Sequence, residues 1–206
     1  MSQLVIIGSG GHAGVVIDAI NYWNYWKDGR YTPRLVIVDD TLEPGQMRHG
    51  RIVSRTGNIT YPDLCEVFIA IGDNAVRERI SAEWSFVYTN VIHPKSDVRT
   101  PILTRGNYIG ANAVINPGCR VGNFCIINTG AILEHDSSIG DFSSLAPGVV
   151  TGGRVKIGDR TAIGLGAMIR DGVTIGNNCS IGMGAVVLDD IPDNSTAWGN
   201  PARIQK

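Results

Sequence analysis

The chain has 206 residues, with 18 Lys and Arg against 19 Asp and Glu scattered along it, for a formal net charge of −1. Balanced, scattered charge leaves no electrostatic footprint for nucleic acid or an anionic membrane, and the length suits one large domain or two small ones. The start, MSQLVIIGSGG, has no basic leader, and no apolar stretch approaches the roughly 18 residues of a membrane helix, so the sequence predicts a soluble cytoplasmic protein.

In chain order, LVIIG (Leu4 to Gly8) reads as a buried strand, SGGHA as a loop and GVVIDAINYW as a helix. LVIVDD (Leu35 to Asp40) is a second strand ending in two acids. Residues 41 to 66, polar and carrying Pro44, Gly45 and Gly50, read as an irregular connection with short strands, and His49 there as a surface residue. Cys65 belongs to the core of a strand. VFIAIGDN (Val67 to Asn74) is a third strand, followed by the helical AVRERISAEW. Strands alternating with helices make right-handed βαβ units and a small parallel sheet, with ligands bound beyond the carboxyl ends of the strands. Those ends carry Gly8 to His12, Asp39 with Asp40, and Gly72 to Asn74.

Gly8, Gly10 and Ala13 fit G-x-G-x-x-A, a turn whose backbone N–H groups face an anion at a helix start. An NAD site would want one acid on the second strand, which Asp39 supplies. However, only about ninety residues precede the repeat described below, too few for the full doubly wound fold. The better reading is a Rossmann-like half-domain holding one nucleotide. The alternative is that the glycines only make a tight turn and His12 caps a helix. The character of the chain changes around VIHPKSDVRT, which places a domain boundary near Asn90 and divides 1–90 from 91–206. His93, beside a proline at this junction, reads as structural.

From Ile109 to Pro192 the chain divides into fourteen hexads without losing register. Thirteen open on Ile, Leu or Val, the exception being Thr151, and eight carry Gly second. A period of six is neither helical nor a plain alternation; it marks a parallel β-helix with three hexads per coil. First positions point inward, and fifth positions must be small enough to share the interior. Cys119, Cys125 and Cys179 all fall on fifth positions, so packing explains them, whereas a metal cluster or disulfides would have no CxxC spacing behind them.

A solenoid filled with small aliphatics keeps any chemistry on its outside. The hexad LEHDSS departs from the pattern by placing Glu134, His135 and Asp136 together, with His135 third in its hexad and therefore outward. One coil earlier the column holds Pro117 and one coil later Gly153, leaving space and a backbone N–H for a substrate carbonyl. A histidine flanked by carboxylates has the composition of a general base with an orienting acid; the plainer reading is a solvated polar corner. His135 is the sole histidine of the repeat, and Asn128 on the same coil can hydrogen-bond a ligand.

Together, VIIGSGGHA, VDD, AIGDNAVRERI, INTGAILEHDSSIGDFSSLAPG and GNPAR resemble a bacterial family over nearly the whole chain. These are the hexapeptide acyltransferases with an amino-terminal nucleotide-sugar-binding half-domain. The family includes sialic acid O-acetyltransferase-like proteins and acetyl-CoA-dependent N-acetyltransferases of nucleotide-linked 4-amino-4,6-dideoxy sugars. The resemblance implies a left-handed parallel β-helix behind the α/β half-domain, and a homotrimer with active sites between subunits. It makes His135 the general base and Asp136 its orienting acid. Gly10, Gly11, His12, Asp39, Asp40 and Gly72 would hold the nucleotide sugar, with Asn128 on the substrate side. The acetyl-CoA side falls on Ser144, Leu165 and Met183, with Gly153 beside the imidazole; no metal is implied. Relatives often have a second histidine where this chain has Ser144, whose shorter reach weakens that contact. The activity implied is N-acetylation of a sugar of the UDP-4-amino-4,6-dideoxy-N-acetylglucosamine type, for bacterial glycan biosynthesis. Sugar O-acetylation and a non-catalytic nucleotide-sugar-binding trimer are the alternatives.

Overall fold

Three runs of branched aliphatic residues form the centre of a parallel sheet, as continuous apolar runs do when both faces of a strand are covered. In the computed structural model, which describes residues 3–26, 34–49, 51–54 and 65–205, these are β1 (Gln3–Ile7), β2 (Arg34–Val38) and β5 (Cys65–Ile69). Short strands β3 (Met47–Arg48) and β4 (Arg51–Ser54) lie beyond β2, and β6 (Val87–Tyr88) lies beyond β5. The sheet order is β3-β4-β2-β1-β5-β6, with Val5 of β1 paired to Val36 and Val67. Leu4 to Ile7 are at most 5% exposed, and Cys65 is buried in β5.

Helix α1 (Gly11–Trp26) begins three residues before the predicted Gly14, because SGGHA is a helix start and not a loop; the N–H of Gly14 already bonds the Gly10 carbonyl. Helix α2 spans Asn74–Glu83 and is capped by Asp73, whose carboxylate accepts the N–H of Val76. His93 is buried with its ring 4.9 Å from that of Tyr22, a structural position as predicted. The chain separates into two compact units, Met1–Pro94 and Lys95–Lys206. Among the described residues no helix is long and apolar enough to cross a membrane.

The second unit is a left-handed parallel β-helix. Two-residue strands stack in parallel eighteen residues apart, as in Ile132↔Val150 and Ser144↔Ala162, building three sheets. The coil starts before the regular repeat, since Asp97–Val98 already pairs with Val114–Ile115. All fourteen first positions are inward and no more than 9% exposed. Every fourth position from Asn112 to Gly184 has φ between +54° and +78°, the left-handed turn that each corner needs.

Fifth positions also repair the coil's backbone. The hydroxyl of Ser143 accepts the N–H of Thr161 at 2.8 Å and donates to the Gly158 carbonyl at 2.7 Å, and Thr161 repeats the pattern toward Cys179 and Gly176. The buried cysteines donate to carbonyls in the same way, Cys125 to Gly140 and Cys179 to Pro192, both at 3.1 Å. At one corner Asp141, Asp159, Asn177 and Asp193 each accept an N–H from the coil before. The glycine preceding each step is required there: a Cβ on Gly140 would collide with Asp159.

Candidate active site

The carboxyl ends of β1, β2 and β5 open into a cleft of about 460 Å³ within the first unit. Gly10, Gly11, His12, Asp39, Asp40 and Gly72 all line it, so the structure brings these six predicted residues together. The three glycines of the turn differ in duty. Gly8 has φ +103°, and a Cβ there would lie 2.8 Å from Ile71, so the chain can pass only without a side chain. Gly10 and Gly11 have nothing within 4 Å of an added Cβ, which leaves their backbone open to the cleft. Helix α1 carries no acid in its first turn, whereas Asp73 fills the corresponding place on α2. The amino end of α1 is therefore the one left able to receive a phosphate.

Side chains from outside the glycine turn hold the loops of the cleft in place. His49, read as a surface residue, is exposed, but its Nε2–H reaches the carbonyls of Ser9 at 2.9 Å and Gly10 at 3.1 Å. Gly14 makes room for its ring, since a Cβ there would sit 2.8 Å from His49 Cε1. Arg77 is 1% exposed and donates to the carbonyls of Ile71 and Gly72 at 3.0 and 2.8 Å. Asp39 receives the Ser9 hydroxyl on Oδ2 at 2.6 Å, and the Thr41 hydroxyl and N–H on Oδ1 at 2.5 and 3.0 Å. Partial burial acts to raise its pKa, but these hydrogen bonds prevail and hold the carboxyl below its ordinary value of 3.8. His12 is pushed down to about 4 by burial and by the Arg77 charge, so at neutral pH its imidazole is uncharged.

The second constellation sits on a corner of the solenoid. His135 Nδ1 lies 2.9 Å from Asp136 Oδ2, and the two side chains are 50% and 63% exposed. Asp136 occupies the fourth, left-handed position with φ +59°, which turns its carboxylate back toward the preceding ring. With Nδ1–H donated to Asp136, the lone pair lies on Nε2. The space left by Gly153 is taken up by the imidazole itself: Gly153 is buried, and a Cβ there would meet Nε2 at 2.5 Å. The Glu134 carboxylate accepts the N–H of His135 at 3.1 Å. Thr151, the lone hexad opener that is not aliphatic, is buried and accepts the N–H of Glu134 at 2.9 Å. The two irregular hexads thus support each other.

Other predicted residues lie elsewhere on the coil. Leu165 and Met183 are 57% and 79% exposed on one corner, one coil apart and joined by the bond from Gly184 N–H to the Leu165 carbonyl. Asn128 stands at the same corner two coils earlier, its carboxamide oxygen accepting the N–H of Thr129. Ser144 faces outward from a strand paired with Ala162. A sheet face containing Ile132–Leu133 separates the Asn128 and Leu165 corner from the His135 corner, so one chain does not bring these groups together. Among the described residues no group of His, Cys, Asp and Glu could hold a metal ion.

Comparison with known proteins gives two family-profile matches: the PglD N-terminal domain over residues 3–84 and the bacterial transferase hexapeptide (six repeats) over residues 154–189. No curated protein matches significantly. Among solved structures, the chain is similar to the acetyltransferase domain of PglB from Neisseria gonorrhoeae FA1090, at 30% identity and TM-score 0.89 over 100% of both chains. That domain is also known in complex with acetyl coenzyme A. Perosamine N-acetyltransferase from Caulobacter crescentus, a histidine-to-asparagine variant in complex with CoA and GDP-perosamine, matches at 33% identity. Its TM-score is 0.85, over 100% of this chain and 98% of that one. WeeI from Acinetobacter baumannii AYE, at 23% identity and TM-score 0.82 over 100% of both chains, shares the fold. With two relatives at 30% identity or more over at least 98% of their length, and with both halves matched, the chain belongs to the bacterial hexapeptide-repeat acetyltransferases.

Proposed function

We propose that the chain moves the acetyl group of acetyl-CoA to the primary amine of a nucleotide-linked amino-deoxy sugar, a 4-amino-4,6-dideoxy sugar being the best fit. The observation that carries this reading is the His135–Asp136 pair at 2.9 Å, exposed on an otherwise chemically bland coil. The amine nitrogen attacks the thioester carbonyl, and its proton passes to Nε2 of His135. The C–S bond then breaks, and CoA leaves as the thiol after taking up a proton. Asp136 holds the ring in the tautomer that leaves Nε2 free to accept. No covalent enzyme intermediate is needed. The cleft of the first unit takes the nucleotide, with phosphates at the amino end of α1 and ribose hydroxyls toward Asp39 and Asp40. The reading includes a cytoplasmic location, with which the water-soluble substrates are consistent.

The reading includes a homotrimer. Sixth positions on the face between the two corners form an outward apolar stripe of Val114, Ile132, Val150, Met168 and Val186, with Val150 38% and Met168 50% exposed. Another face presents Arg120, Ser138, Lys156 and Thr174 instead. Three prisms turning the stripe toward a common axis would set the Leu165 and Met183 corner of one protomer against the His135 corner of the next, a closed heterologous ring. The site is then complete only between subunits.

The test is CoA-thiol release from acetyl-CoA in the presence of UDP-, GDP- and dTDP-linked amino sugars and their hydroxyl counterparts. Release with at least one amino sugar is expected, and His135→Ala should lower turnover by on the order of 10² to 10⁴ while the protein stays folded. Asp136→Asn should cost less. Release with hydroxyl acceptors alone would overturn N-acetylation, and a His135→Ala protein keeping more than about a tenth of the rate would remove the base.

A further inference from the structure

One aromatic side chain of the cluster at the end of α2 reaches the cleft, although it has no part in the chemistry above. Trp84, the residue that caps α2, lines the cleft alongside Ile80 and Glu83. Its ring is parallel to that of Phe86, with an interplanar angle of 2° and centroids 5.7 Å apart. Phe86 in turn meets the edge of Tyr88 at 6.1 Å and 76°. Tyr88 is 8% exposed, belongs to β6 beside β5, and its hydroxyl donates to the Trp84 carbonyl at 2.8 Å. The backbone N–H of Trp84 is tied to the Ile80 carbonyl. The backbone at Trp84 is therefore tied on both sides, and its ring is aligned with that of Phe86.

Building on the nucleotide reading above, we propose that Trp84 is the stacking platform for the nucleobase. The indole lies parallel to the Phe86 ring and borders the cleft. A base is a flat π-system, and stacking on a rigid aromatic side chain adds affinity at little entropic cost. The cleft then carries one chemistry for each part of a nucleotide. Bare glycine backbone at the start of α1 takes phosphates, the acids after β2 take ribose hydroxyls, and the Trp84 face takes the base. Stacking is tolerant of base identity, so this residue sets affinity for nucleotides as a class.

The experiment is calorimetric titration of the 206-residue chain with GDP, UDP and inorganic pyrophosphate, comparing wild type with Trp84→Leu and Trp84→Phe. Trp84→Leu should weaken GDP and UDP by about 10- to 100-fold, leave pyrophosphate within about threefold, and be restored mostly by Phe. Nucleotide addition should also quench tryptophan emission in the wild type and not in Trp84→Phe. Unchanged nucleotide affinity in Trp84→Leu would overturn the platform and leave the nucleotide reading standing. Equal weakening toward pyrophosphate would reduce Trp84 to a role in folding. A wild-type protein that binds neither nucleoside diphosphate would overturn the nucleotide reading and the platform with it.

Discussion

Gly153 and Thr151 show how single residues set the geometry at His135. Gly153 carries an ordinary backbone angle, so alanine is allowed there by conformation and excluded only by the imidazole lying 2.5 Å from its Cβ. Gly153→Ala should therefore push the ring aside and cut turnover by on the order of 10², the usual result of misplacing a catalytic group by about 1 Å. Because the displaced atoms are the far end of an exposed side chain, the melting temperature should hardly change. Full turnover in that variant would mean that the ring position seen here is not the working one. His135 and its acid were legible in the sequence because they break a strict repeat. Thr151 also broke it, but its partner is the backbone N–H of Glu134, seventeen residues earlier, and spacing alone names no such bond.

At the scale of the element, the start of α1 combines a signal the sequence carried with support it did not. The G-x-G-x-x-A turn announced itself, while His49, which carries no motif, bonds the turn's Ser9 carbonyl from 40 positions away, and Arg77 bonds the neighbouring Ile71 carbonyl from 6 positions away. His12, in the first turn of α1, gives this element a pH dependence. Its folded pKa of about 4 lies below the ordinary 6.5, so between those values the unfolded chain binds a proton that the folded chain refuses. Stability is thus fully present above pH 6.5 and is lost as pH falls toward 4, by about 3 kcal/mol at 1.36 kcal/mol per pKa unit. Asp39 acts in a lower window, below its ordinary 3.8. Unfolding of the first unit followed at pH 7 and pH 4.5 should show this loss in the wild type and much less of it in His12→Asn. Equal losses in both proteins would assign the acid sensitivity to other groups.

For the whole molecule, a period of six and a βαβ pattern were enough to read a parallel coil and an α/β half-domain, because each rests on local chemistry repeated many times; the left hand of the coil came from the family resemblance. Helix boundaries shifted by a few residues, since caps depend on backbone bonds such as Gly14 to Gly10 that apolar periodicity does not report. The division of site residues between two corners was also invisible, because it depends on which face of the coil lies between Asn128 and His135. That division makes assembly the decisive property. Met168 is half-exposed within the apolar stripe and points away from the interior, so Met168→Glu should leave the coil folded while placing three carboxylates near a common axis. Light scattering should find a trimer for the wild type, as proposed above, and monomers for the variant. Turnover should fall at least about tenfold, as His135 loses the neighbouring Leu165 and Met183 corner. Nucleotide binding to the first unit should persist in the monomer, because its cleft is built from one chain alone. A wild-type protein that is monomeric at micromolar concentration and fully active would show instead that a single coil suffices for catalysis.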